Sequence, residues 1–292
     1  MIRHLLPAAL LACALATPAA AQQPVADKPV VTLDPTFGYI MVQSEGATAM
    51  NFIRLPEAAD FDDYRKRRGE ALAKAHEKWT RKHDRWVKEA ADWNAQSAAN
   101  RARVTRPVEP VEPTDANLAF TAIEMENLIG MGPFNRFSKA NDVSTYLTQV
   151  RPGRYAFYGS IIVANAAAGT CMCMGTFEFE VKPGQIVNAG AVVLNWLEER
   201  RRAKAEKREV PRTDMDLPEN LNTLGWKLPV AGAAVDPRLA AYTVVPAELH
   251  ASRRFPNYFG VQIDRITPIP GVISYDRDQI IDGRTGKAVG AK

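Results

Sequence analysis

Between Pro56 and Pro107 the chain carries no proline, and its residue types recur every seven positions. Across 70–93 an acid (Glu70, Glu77, Asp84), a bulky apolar residue (Leu72, Trp79, Trp86, Trp93), a base (Lys74, Arg81, Lys88) and a histidine or alanine (His76, His83, Ala90) keep fixed places. Residues three and four apart are neighbours on a helix. Glu70/Lys74, Glu77/Arg81 and Asp84/Lys88 are therefore expected acid-first pairs of about 0.2–0.5 kcal/mol each. The pattern predicts a helix over 57–104, about 70 Å long if unbroken. A seven-residue stride drifts about 20° per repeat, so the apolar stripe winds slowly. A coiled coil also needs an apolar place three or four residues further on, and there the chain has Ala75/His76, Lys82/His83 and Glu89/Ala90. The seam thus reads as one residue wide. Trp79, Trp86 and Trp93 either pack on the chain's own body or form a docking ridge for a protein partner, since tryptophan is a common interface anchor. His76 and His83, two turns and about 10 Å apart, cannot share a metal.

Residues 104–115, with Pro107, Pro110 and Pro113 at every third place, end that helix in an extended polyproline-type linker. Strand signals occupy 30–34, 37–43, 49–55 and 117–126. Two β-rich pairs, 143–164 around Arg151-Pro152-Gly153 and 176–194 around Lys182-Pro183-Gly184, read as hairpins, because proline presets one turn dihedral and glycine accepts positive φ. Alternation puts Phe177, Phe179 and Val181 on the core side. A second charged helix is expected at 195–210, a short helix at 246–255 and a last strand at 258–266. The expected fold is mainly β: an antiparallel sandwich over 30–194, interrupted by helical insertion 57–104 and linker 105–115. A proline-rich extension over 211–292 would wrap it.

The first 21 residues read as a secretory signal peptide. Arg3 and His4 precede an apolar run, and Ala19-Ala20-Ala21 before Gln22 fits the cleavage rule. Leu10-Leu11-Ala12-Cys13 also fits a lipoprotein box, which would anchor the chain at Cys13. Residues 22–29 would be a flexible tail, and the protein would be exported, in the periplasm. No later stretch approaches the apolar length of a membrane span. The formal charge of +4 falls to +3 once Arg3 is removed, so nucleic acid is not an expected partner.

Two cysteines remain after cleavage, within Cys171-Met172-Cys173-Met174. In a strand, alternation splits the thiols and thioethers between two faces, so four soft ligands do not converge. Two thiolates could hold Cu(I) linearly, whereas an oxidising compartment favours a disulfide. Cα atoms two apart in a flat strand sit near the ~7 Å limit for that bond, so it needs a bend, which Gly169 and Gly175 permit. Disulfide, packed free thiols, and a metal or redox pair all stay open. No metalloprotease, nucleophile-elbow, Walker or dinucleotide motif is present. His250 has no visible partner, and Asp276, Asp278 and Asp282 beside Arg277 and Arg284 read as a charged turn. No catalytic residue and no cofactor are expected.

The sulfur run with the following 175–190, the segment 150–159, and the tail 256–278 resemble exported bacterial proteins of unknown function. Their sheet-rich domain is similar to the prealbumin-like sandwiches of small envelope lipoproteins. The resemblance covers about 117–290, implies a non-catalytic sandwich and carries over no functional residue. The expected role is to bind or scaffold envelope components. The alternative is copper or thiol handling through Cys171 and Cys173.

Overall fold

The computed structural model describes residues 22–46, 48–210, 222–230, 232 and 235–290. The expected leader with Cys13 and Ala21, and residues 211–221 of the extension, lie outside them. In chain order, β1 (Gln23–Pro24), β2 (Gly38–Glu45) and β3 (Met50–Arg54) precede α1 (Ala58–Ala95), α2 (Ala98–Arg101) and α3 (Ile123–Glu126). Then come β4 (Leu128–Met131), β5 (Ser138–Ala140), β6 (Val143–Val150), β7 (Gly153–Val163), β8 (Ala167–Cys171), β9 (Thr176–Val181), β10 (Gln185–Leu194) and α4 (Asn195–Ala205). The rest holds β11 (Leu224–Lys227), β12 (Thr243–Pro246), β13 (His250–Ser252), β14 (Gln262–Ile263), β15 (Ile273–Asp276) and β16 (Gln279–Asp282). The chain is mainly β with several sheets. It divides into two compact units, Leu55–Asn127 and the β-rich remainder.

In the β-rich unit one sheet runs β1-β6-β2-β10-β11, with β5 added to β6 and β12 to β10. The other runs β13-β9-β7-β3-β4, with β8 on β7 and β14 on β8. Both sheets feed one hydrophobic cluster: Ile40, Val42 and Val187 from the first, Phe52, Phe157 and Phe177 from the second. Trp226 of β11 ties them, its ring 4.8 Å from Phe157 and 4.7 Å from Phe177, while its N–H donates to Ala189 O at 2.7 Å. A second cluster with Tyr39, Leu147, Phe137 and Leu239 covers the other face of the first sheet. That is why its strands are apolar on both sides rather than alternating cleanly.

The two Pro-Gly turns do not make hairpins. β6 and β7 lie in different sheets, as do β9 and β10, so each turn is an arch from one sheet to the other. The turn chemistry predicts a reversal correctly, but reversal alone does not choose a partner. β2 and β10, far apart in sequence, pair in parallel instead, with Ile186 opposite Tyr39 and a bulge between Asn188 and Gly190. Gly190, at φ +97°, passes so close to β11 that a Cβ would sit 2.2 Å from Lys227 O.

Other expectations are corrected. Residues 30–34 form no strand; Tyr242 satisfies this stretch by accepting from Leu33 N (3.2 Å) and donating to Val31 O (2.8 Å). Residues 117–126 hold the short helix α3 where their alternation slips. Residues 246–255 give strand β13, whose Ala251 pairs with Phe177, in place of a helix. Of 258–266 only Gln262–Ile263 is strand. The charged helix α4 stops at Ala205.

The supposed tail is tied down as well. Gln23 and Pro24 pair with β6, and Arg238 reaches Asp27 (2.5 Å) and Lys28 O (3.0 Å). The same guanidinium bonds Phe137 O (3.1 Å) and Asp236 (2.7 Å) and stacks 4.3 Å over the Phe137 ring. Its hydrogen bond holds the Asp236 carboxyl below the usual range. A depressed carboxylate contributes stability above its unfolded value, about 3.9, and loses it as pH falls through the folded value. Asp236→Asn should therefore lower Tm at pH 7. Its deficit against the wild type should shrink as scanning calorimetry is repeated below about pH 3.5.

Candidate functional site

Three places concentrate chemistry among the described residues. In the helical unit, α1 runs for 38 residues, about 57 Å. It breaks at Gln96 before Ser97, whose side chain caps α2. The tryptophan stripe meets the chain's own proline segment. Trp93, Trp86 and Trp79 donate their indole N–H groups to the carbonyls of Val104 (3.2 Å), Pro107 (3.2 Å) and Pro110 (2.9 Å). Seven helical residues rise about 10.5 Å and three polyproline residues about 9.3 Å. One rung per heptad therefore meets one per triplet.

The third residue of each triplet adds a charge. Glu109 lies 3.6 Å from His83 Nε2, Glu112 3.8 Å from His76 Nδ1, and Asp115 3.5 Å from Arg68. His83 also sits between the Trp79 and Trp86 rings at 4.8 and 5.3 Å. The seam is thus two residues wide, not one, because the imidazoles pack tilted or edge-on against the indoles and serve as its second row. Of the three expected acid-first pairs, Glu77–Arg81 forms; among the described residues no ion pair joins Glu70 to Lys74 or Asp84 to Lys88. Comparing the two rises would have matched heptad to triplet from sequence. Trp79, Trp86 and Trp93 commit their donors inside this unit, which the docking-ridge expectation did not foresee.

In the β-rich unit, Cys171 and Cys173 form a disulfide, with S–S 2.05 Å and Cα atoms 5.2 Å apart. The bend comes from β8 ending at Cys171 and a turn in which Gly175 N donates to Met172 O (3.3 Å). Gly175 has no room for a Cβ, which would fall 2.5 Å from the Tyr275 ring. As alternation requires, Met172 enters the inter-sheet core. Both cysteines are buried, covered by the segment 255–264: Phe255 N donates to Cys173 O (3.0 Å) and Asp264 N to Cys171 O (2.9 Å). Tyr158 braces this cover, donating to Pro256 O (2.9 Å) and accepting from Tyr258 N (3.0 Å). Burial pushes its hydroxyl pKa up. Cys173 Sγ is 3.8 Å from that hydroxyl and 3.6 Å from Pro256 O. Lacking a proton, an oxidised sulfur donates to neither. No thiolate is on offer to a soft metal in this state.

A cleft of about 270 Å³ is the third place, lined by Arg154, Glu178, Lys182, Val245, Glu248 and His250. Sequence reasoning missed it because β7, β9 and the β12–β13 crossing bring these residues together. Its charges neutralise one another. Glu178 accepts from Arg154 (3.0 Å) and from Ser252 Oγ (2.7 Å). Glu248 pairs with Arg284, which holds its carboxyl below the usual range. His250 stands opposite Glu178 in register and 4.0 Å from Glu248. Ser252 thus donates to a carboxylate that Arg154 also engages. Asp276 and Asp278 flank the β15–β16 turn, where Arg277 has φ +52°. Asp282 accepts from Arg284 N and Thr285 N within its own loop, bonds that lower its pKa. No group of three or more metal-ligating side chains occurs among the described residues, and no helix there is long and apolar enough to cross a membrane.

No family model matches the chain, and neither a curated protein nor a solved structure matches it.

Two outcomes follow from these sites. Trp86→Phe keeps an aromatic ring, a smaller one, but removes the rung to Pro107, and should cost about 1 kcal/mol or somewhat more in urea unfolding followed by far-UV circular dichroism. Iodoacetamide should leave Cys171 and Cys173 unmodified in the native protein, and mass spectrometry should find both labelled only after unfolding with reductant.

Proposed function

We propose that this is an exported, non-enzymatic protein that binds or scaffolds cell-envelope components, its β-rich unit a prealbumin-like sandwich. The observation that carries the reading is the α1–polyproline hairpin, an arm whose apolar stripe is satisfied internally and whose length rivals that of a small domain. Such an arm suits holding things apart or together better than turnover. The mutually paired charges of the Arg154–Glu178 cleft favour the same view.

The arm is also inserted where it disturbs the sheet least. β3 and β4 are antiparallel neighbours, with Ile53 opposite Leu128, so residues 55–127 replace what would otherwise be a hairpin turn. Substituting an Asn-Gly turn for that stretch should leave the β-rich unit folded with its disulfide, judged by calorimetry and alkylation. Capture of envelope components by the tagged protein should then be lost. Unchanged capture sinks the role of the arm, and a mature N-terminus other than Gln22 in the periplasmic fraction sinks export by cleavage at Ala21. Copper retained by reduced protein, and lost in Cys171→Ser, would replace this reading with the metal-handling one.

A further inference from the structure

The polyproline segment closes one side of α1 and leaves the opposite side to solvent. There Lys74, Lys78, Arg81, Arg85 and Lys88, all exposed, follow one another at intervals of four, three, four and three residues. At about 100° per residue these five fall within an arc of roughly 80° and extend about 21 Å along the axis. The arc is centred about 120° around the helix from the tryptophans and about 170° from His76 and His83. From 74 to 88 the helix carries six cations, counting Lys82, against Glu77 and Asp84, so 6 − 2 leaves +4. Glu77 pairs with Arg81, while no ion pair joins Lys74, Lys78, Arg85 or Lys88 to an acid among the described residues. The acids of the proline segment, Glu109 and Glu112, are turned to His83 and His76 on the far side.

A charged helical face is ordinarily just solvated. Here the heptad keeps the cations in line, and the indole rungs fix which side of α1 faces outward. We propose that this stripe docks on a bilayer surface bearing anionic lipid headgroups. The proposal deepens the envelope reading above and rests on it. The arc holds no apolar side chain between 74 and 88, so the helix lies on the headgroups without inserting, and binding is electrostatic. It also holds no aromatic ring on which bases could stack, which disfavours single-stranded nucleic acid.

The test uses the chain from Gln22 onward with sedimented vesicles of phosphatidylcholine, alone or mixed with phosphatidylglycerol. Binding is expected only to the mixed vesicles and should weaken as salt shortens the screening length. Reversal of four cations, Lys74→Glu, Lys78→Glu, Arg85→Glu and Lys88→Glu, should weaken partitioning by roughly a hundredfold or more. The milder Lys74→Gln, Lys78→Gln, Arg85→Gln, Lys88→Gln set should weaken it at least about tenfold, with helix content unchanged by circular dichroism. A charge-matched control, Lys139→Glu, Lys204→Glu, Lys207→Glu and Lys287→Glu, should bind like the wild type. Equal loss in the control overturns the proposal, as does wild-type protein that ignores the mixed vesicles or prefers an oligonucleotide or an acidic protein. These vesicle results leave the export and capture experiments untouched, so the two readings fail separately.

Discussion

A polyproline strand has no internal hydrogen bonds, and a half-buried indole needs an acceptor for its N–H. In residues 55–127 each need answers the other, through the near equality of seven helical rises and three polyproline rises. That match decides which face of α1 is closed, which is open, and why the prolines fall at 107, 110 and 113. It also explains how a helix with no fully buried residue holds its place. Its stability comes from a one-sided lid of its own chain, with His83 set between the Trp79 and Trp86 rings and His76 edge-on to Trp79.

The β-rich unit answers a different demand. Its strands change sheet at both Pro-Gly turns, so chain neighbours face each other across the core rather than along a ladder. Phe157 and Phe177 thus meet Trp226 from the other sheet. The first sheet then needs cover on its outer face, which Phe137, Leu239 and the Arg238 clasp supply. The C-terminal segment does the same service for the disulfide.

What could be read from residues alone was mostly local. That 58–95 is helical, that Phe177, Phe179 and Val181 point inward, and that a Cys171–Cys173 bond needs a bend all follow from periodicity and bond geometry, and the structure agrees with each. Partner choice was not legible. A Pro-Gly turn looks the same whether it joins two strands of one ladder or arches between sheets, and the parallel pairing of β2 with β10 leaves no local mark. Short strands such as β13 and β14 exist because a neighbour accepts them, against propensities that favour a helix near 246–255. The Arg154–Glu178–Ser252 grouping was invisible for the same reason. The indole rungs sat between these cases: both periods are in the sequence, and only their physical lengths link them.

The ladder's rungs join residues 11, 21 and 31 apart in sequence, while β2 must find β10 across about half the chain, as in Tyr39 opposite Ile186. Low contact order favours quick closure. On a chain emerging N-terminus first, the helical unit is therefore complete once residue 127 is free. The β-rich unit stays open until its later strands arrive. For that interval the nascent chain carries a finished arm ahead of an unfinished sheet. Apolar edges such as β2 and β3 are then the segments most in need of protection.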